Sequence, residues 1–422
     1  MTRTARPRHL FIAIAAAFTI LLAACSDSQY PNSTFTNLTD FNRDSTSLWN
    51  LMIWLGIGVF VLVELLLIYV MYRYRHKPDS PEPEHVHGNT TLELTWTILP
   101  AFVLAIIAVP TVQQIWKYQT GAPANALQID VIGHQWWWEF RYPEQNITTA
   151  NELYIPTGRP VNFTLRSVDV IHSFWIPNLG GKRDVMRNRT NFLWFTPDSV
   201  GTQAFNGSCN EYCGASHANM RFRAYTVSPD EFDRWVTGQQ AEATFQAAAA
   251  TPPATGANAS TTPVAQQASP PPAPPAAGYM FPAEQLPPHV IPKTPLPAGL
   301  AFDDNLLASG DPQRGSQAFI ACVGCHTVRG NAVARGLIGP DLTHIGSRHT
   351  IGAGIFPNDD RHLARWIKNA RRMKPMHGGS LSMPTLGVGE TDPVTKATIT
   401  AQLGGLTDQQ IADIVAYLRA LK

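Results

Sequence analysis

At 422 residues the chain is too long for one ordinary domain and suits two or three. Lys and Arg number 32 against 31 Asp and Glu, and nothing in this near-balance suggests nucleic acid or a strongly acidic partner. The 34 prolines cluster, so they mark a linker and not general disorder. Of the five cysteines, four form two close pairs, each followed by a histidine.

Residues 1–25 read as an export signal. Arg3, Arg6 and Arg8 give a basic start, and an apolar run over 10–24 follows. Leu22-Ala23-Ala24-Cys25 resembles the cleavage site of bacterial lipoproteins, which would make Cys25 the lipidated first residue of the mature chain. The other reading is an ordinary signal with a chance cysteine.

Residues 26–117 then predict a transmembrane hairpin. The apolar stretches 48–72 and 95–115 are each long enough to cross about 30 Å of hydrocarbon as a helix. The second holds Pro100 and Pro110, which spanning helices tolerate. Arg73, Arg75, His76 and Lys77 lie between them and should stay in the cytoplasm, putting everything after 117 outside. Glu64, inside the first span, faces a partner subunit, a water path or a neighbouring helix.

Residues 118–237 predict a β-sandwich. Leu127, Ile129 and Val131 alternate, as do Val161, Phe163 and Leu165, with turn residues between the runs. Within it stand Cys209, Cys213, His217 and Met220 on one loop. Two thiolates four residues apart can face one metal cluster, and thiolate, imidazole and thioether select copper or zinc. A structural zinc site uses four strong ligands, so the methionine argues for copper. His172, 37 residues before Cys209, supplies a second histidine. The competing reading is a Cys209–Cys213 disulfide with bystander His and Met.

This pattern resembles the binuclear CuA site of cytochrome c oxidase subunit II. Thr95-Trp96-Thr97-Ile98-Leu99-Pro100 resembles the start of that family's second span, and Gly133-His134-Gln135-Trp136-Trp137-Trp138 its aromatic strand. The resemblance implies a cupredoxin-like domain in which Cys209 and Cys213 bridge two coppers. His172 and His217 each cap one, while Met220 and the Glu211 carbonyl complete the set. It implies that the Glu211 side chain reaches a magnesium ion bordering subunit I. Trp136 would lie where electrons reach the copper, and Glu93 near the mouth of a proton channel. Glu93 also reads as a solvated acid at a helix start, and two of the three tryptophans as core packing. Relatives often carry Pro-Gly-Arg after an Asp near the magnesium; here Asp184 is followed by Val185-Met186-Arg187, so that loop's contacts depart from the pattern.

Residues 238–300 collapse to Ala, Pro, Thr, Gln and Ser, and predict an extended, mobile tether. Residues 301–422 carry Cys322-Val323-Gly324-Cys325-His326, the c-type haem attachment pattern. Both cysteines would form thioethers and His326 would be the proximal ligand. A thioredoxin-like redox pair is the rival, but no βαβ pattern surrounds it. Asp311-Pro312 predicts a helix start, and Thr407 with Gln410 a capping box opening a terminal helix. The expectation is an all-α cytochrome c domain with packed terminal helices. Met383-Pro384 resembles the Met-Pro of small cytochromes c and makes Met383 the expected distal ligand, ahead of Met376 and Met373. His344, His349, His362 and His377 read as surface residues. Gly339-Pro340-Asp341-Leu342 resembles the proximal loop, whose proline carbonyl accepts the proximal ring proton. Residues 388–405 read as an insertion. The basic run from Arg361 to Lys374 reads as a solvated face, a dock for an acidic donor, or a contact with lipid head groups.

Together these features predict a multidomain subunit II with a fused cytochrome c, in the bacterial inner membrane with both redox domains on the periplasmic face. The partners implied are subunit I, subunit III and a donor of the cytochrome c or cytochrome bc1 type. Electrons would pass from the donor through haem c and CuA to subunit I, where dioxygen is reduced and protons are moved. The alternatives are a CuA-containing subunit of a nitric oxide reductase, or a membrane-anchored electron carrier. A quinol-oxidase subunit II would lack the copper ligands.

Overall fold

A computed structural model of the chain describes residues 30–78, 87–198, 203–243, 279–376 and 382–422, with isolated positions elsewhere. Cys25, nearly all of the export signal, His377 and the proline-rich 244–278 lie outside the described residues.

Two long helices come first, α1 (Asp40–Arg73) and α2 (Thr90–Gln119). Thr39 caps the first by accepting from Asn42 N at 3.1 Å, and Asn89 caps the second by accepting from Leu92 N at 3.1 Å. Their most apolar windows reach mean hydropathies of 2.7 and 2.1 with no residue buried, as expected of helices whose covering is lipid or a partner. Both extend past the predicted spans. The extra turns of α1 plug into the next domain: Thr39 Oγ1 donates to Leu179 O at 2.7 Å and Asn42 Nδ2 to Asn178 O at 2.8 Å. Asp44 joins the two helices there, accepting from Lys117 Nζ at 2.6 Å and Tyr118 OH at 2.7 Å.

The next domain is a sandwich of two five-stranded sheets. One takes the order β3 (Ile147–Ala150), β2 (Trp137–Tyr142), β1 (Leu127–His134), β5 (Val161–Ser167), β8 (Asn191–Phe195). The other takes β4 (Glu152–Pro156), β10 (Arg221–Val227), β9 (Gln203–Cys209), β6 (His172–Trp175), β7 (Arg183–Val185). Pairs β1·β5 and β4·β10 are parallel, a cupredoxin-like arrangement. The core is aromatic: Trp138, Phe140, Phe163, Phe174 and Phe222 are buried between the sheets. Helix α3 (Pro229–Gln240), opened by a Ser228–Glu231 capping box, lays Trp235 over the Tyr154 ring at 4.8 Å. The predicted boundary at 237 therefore falls inside a helix.

The expected tether differs at its far end. Residues 279–300 lie along the sandwich, with Phe281 and Val290 buried in its core. Phe281 N donates to Tyr154 OH at 3.2 Å, and Arg223 Nε to Val290 O at 2.7 Å. Composition suggested disorder, but one phenylalanine and one valine at suitable spacing anchor the segment.

The last domain joins α4 (Pro312–Ala318), α5 (Asp360–Met373) and α6 (Asp408–Ala420). The first and last pack together, with Phe319 beside Tyr417 at 5.3 Å between centroids. The Thr407–Gln410 capping box is formed. A two-residue ladder between Thr350–Ile351 and Phe356–Pro357 qualifies the all-α expectation. Residues 388–405 close on themselves, with Gly389 N donating to Ile399 O and Ile399 N to Glu390 O.

The basic run is mostly neutralised inside this domain. Arg361 and Arg365 pair with Asp304, Lys368 with Asp408, and Arg371 with Asp392. Arg365, Lys368 and Lys374 are buried, so the run is not the solvated face or open cationic patch that its composition suggested.

Candidate metal centre and haem cavity

The soft side chains predicted from the sequence converge. Cys209 ends β9, and the following loop turns back to start β10, so Cys213, His217 and Met220 face the same space. His172 enters from the adjacent strand β6, where Phe174 pairs with Cys209. The two sulfurs stand 3.8 Å apart. That is far beyond the about 2.05 Å of a disulfide, so the disulfide alternative is not what the fold builds. Around them, His172 Nδ1 lies 3.8 Å from Cys209 Sγ and His217 Nδ1 lies 3.6 Å from Cys213 Sγ. Met220 Sδ is 3.8 Å from Cys213 Sγ, and the Glu211 carbonyl 3.3 Å from Cys209 Sγ.

This donor set fits a soft cation. The Cys213 thiol hydrogen-bonds to Cys209 and pulls the Cys209 thiol well down, while the Cys209 thiolate pushes Cys213 up. A buried thiolate beside a second buried sulfur is costly without a cation. Two sulfurs, two ring nitrogens, a thioether and a carbonyl suit copper better than the four strong ligands of structural zinc.

Two residues that sequence reasoning missed set the geometry. Asp169 Oδ1 accepts from His172 Nε2 at 2.8 Å, which leaves Nδ1 free to face the sulfurs. A carboxylate three residues before a ligand histidine was the available signal. Asp169→Asn is expected to lower copper affinity about 10- to 100-fold, read by copper titration of the purified protein. Gly133 lies against the same ring: a Cβ there would stand 2.7 Å from His172 Cδ2. The neighbouring aromatics divide their work. Trp138 is fully buried, its ring edge-on to His172 at 5.9 Å, whereas Trp137 stacks on His134 at 4.0 Å. Glu93, at the first turn of α2, accepts from Asn89 N at 3.2 Å and is exposed.

A second cavity lies between the sandwich and the last domain. Cys322, Cys325 and His326 form one wall, and apolar groups such as Phe319, Leu342, Ile351 and Ile367 line its interior. His326 Nδ1 is 2.8 Å from Pro340 O, so Nε2 is left to face the cavity. Gly339 is required beside it, since a Cβ would stand 2.6 Å from His326 Cε1. Met383 and Met376 both reach the cavity, while Met373 belongs to the domain core. His344, His349 and His362 are engaged elsewhere, with Ala241 O, Phe281 O and Asp359 respectively. A largely apolar cavity bounded by two cysteines, a backbone-anchored histidine and two methionine thioethers fits a haem fastened through its vinyl groups.

Trp136 belongs to both sites. It lines this cavity, and its Nε1 donates to the Cys213 carbonyl at 2.9 Å. Gln135 Nε2 donates to the same carbonyl at 2.7 Å.

Fold and sites define a class: a membrane-anchored electron-transfer protein joining a cupredoxin-like copper domain to a c-type cytochrome. Comparison with known proteins is consistent with this. Family models match for cytochrome c oxidase subunit II, transmembrane domain (39–114), cytochrome c oxidase subunit II, periplasmic domain (145–227), and cytochrome c (312–422). Cytochrome c oxidase subunit 2 of Alkalihalophilus pseudofirmus is 31% identical over 80% of this chain and 75% of its own. The protein of that name from Bacillus sp. strain PS3 is 28% identical over 80% and 76%. Quinol oxidase subunit 2 of Bacillus spizizenii is 37% identical, but over 37% of this chain and 50% of its own. The chain belongs to the cytochrome c oxidase subunit 2 family. It is a membrane protein and one subunit of a haem–copper oxidoreductase, with a cytochrome c domain of its own.

Proposed function

We propose that the chain carries electrons from an external donor, by way of haem c and then CuA, to subunit I, where dioxygen is reduced to water with proton translocation. The observation that carries this is Trp136, which joins the wall of the haem cavity to the Cys213 carbonyl by one hydrogen bond. Bound haem c and copper would supply reversible one-electron chemistry.

The chain's own residues arrange the rest. Cys322 and Cys325 would fasten the haem, and Pro340 O fixes the His326 ring so that its free nitrogen is presented. Met383 would be the second haem ligand, and its thioether would raise the potential. Cys209, Cys213, His172, His217, Met220 and the Glu211 carbonyl would hold copper, with Asp169 orienting His172. The Glu211 side chain would serve a magnesium ion at the border with subunit I, and Glu93 a proton path. Asp44, Lys117 and Tyr118 tie both helices together beside the copper domain, so the helices brace the sandwich. With the basic link 73–77 on the cytoplasmic side, both redox domains face the periplasm.

Subunit III and a donor of the cytochrome c or bc1 type complete the assembly. The intact soft-ligand cluster argues against a quinol oxidase, and the paired spans argue against a free carrier. The test is purification from membranes with partner subunits. Oxygen uptake with reduced cytochrome c, haem c absorbance and a mixed-valence copper resonance are expected together. Zinc in place of copper would sink the reading, and consumption of nitric oxide instead of oxygen would move it to a reductase.

A further inference from the structure

Lys374 follows the last turn of α5 and is only 3% exposed. Among the described residues no carboxylate pairs with it, unlike its neighbours in the basic run. Its ammonium crosses to the copper domain and donates to the Trp136 carbonyl at 2.6 Å, with Gly352 O at 3.4 Å. The next carbonyl, that of Pro375, accepts from Ser216 Oγ, and Ser216 is fully buried beside His217. A buried amino group bonded to backbone carbonyls is costly to keep charged. Here its bonds join the segment leading to both candidate distal methionines to the tryptophan that touches the copper loop.

We infer that Lys374 is a positioning residue. It clamps the segment 374–376 onto the Trp136 backbone and so fixes the wall shared by the two cofactor sites. The inference rests on the reading that these sites hold haem c and copper. The interface has a second set of contacts to compare. Glu152 accepts from His349 N at 2.7 Å and Thr350 N at 2.9 Å, with no bond to Trp136. If Lys374 merely held the domains together, the two sets would be interchangeable.

The experiment uses the full complex carrying Lys374→Met, which keeps the stem and removes the donor, beside Lys374→Arg and Glu152→Gln. Haem c and copper content come from optical and electron-resonance spectra. Backbone hydrogen exchange over 135–138 and the rate of haem c reoxidation after flash reduction follow. In K374M both spectra should persist, exchange over 135–138 should rise about tenfold, and reoxidation should slow about tenfold. K374R, which retains a cationic donor, should recover part of each. E152Q should leave exchange at 135–138 near that of the parent. Unchanged exchange and rate in K374M would overturn the inference, as would equal exposure of 135–138 in E152Q. Loss of haem or copper from K374M would overturn it too, by making Lys374 a folding residue. A parent complex without these cofactors would instead defeat the reading beneath it.

Discussion

Replacing Cys213 by serine is expected to abolish the copper resonance and near-infrared absorbance while covalent haem c stays in place. The Cys213 sulfur is the hub of the cluster, lying within 3.8 Å of the Cys209 sulfur, the His217 Nδ1 and the Met220 sulfur. A hydroxyl is a hard, weak donor and cannot replace a thiolate among soft ligands. Outer-shell changes at metal sites cost up to about 100-fold, so loss of a sulfur at the centre of this cluster should lower oxygen uptake by more than about 100-fold. The haem domain has its own apolar core around Phe319, Leu363, Ile414 and Leu418, so its absorbance should be untouched. The Trp136 bond goes to a backbone carbonyl and survives the substitution. Stoichiometric copper in Cys213→Ser would refute the ligand assignment.

Met383→Ala is expected to lower the haem c midpoint potential strongly, with the haem still covalently bound. A thioether opposite histidine raises the potential, and its loss should drop it by on the order of 0.2 V. Met376 lines the same cavity but is buried in the core shared with the sandwich. Met376→Ala should therefore cost about 2–5 kcal/mol of stability through lost packing and leave the potential nearly unchanged. A redox titration of both variants, beside their thermal melts, separates the roles. The reverse pattern would make Met376 the ligand.

Most of the architecture was legible because the signals are local. Two apolar stretches of spanning length, alternating strands around an aromatic core, and a Cys-x-x-Cys-His motif each act over a few residues. The copper loop was legible for the same reason: five of its donors lie within twelve residues, and only His172 comes from elsewhere. The linker shows the limit of composition. Residues 279–300 share the proline content of the stretch before them, yet Phe281 and Val290 seat them against the sandwich. The basic run failed differently. Its cluster of basic residues read as a solvated face, but the carboxylates at Asp304, Asp392 and Asp408 that neutralise it come from distant parts of the domain.

The sequence by itself pointed to copper and haem c, since ligand chemistry depends on residue type and short spacing. Only the tertiary structure decided how the two centres meet. Asp169 behind His172, Trp136 between the cavities, and Lys374 across the domain boundary are placed by packing between elements far apart in the chain. A hydrogen bond spanning 238 residues leaves no local pattern, because its partners are chosen by the docking of two surfaces and not by their neighbours in sequence.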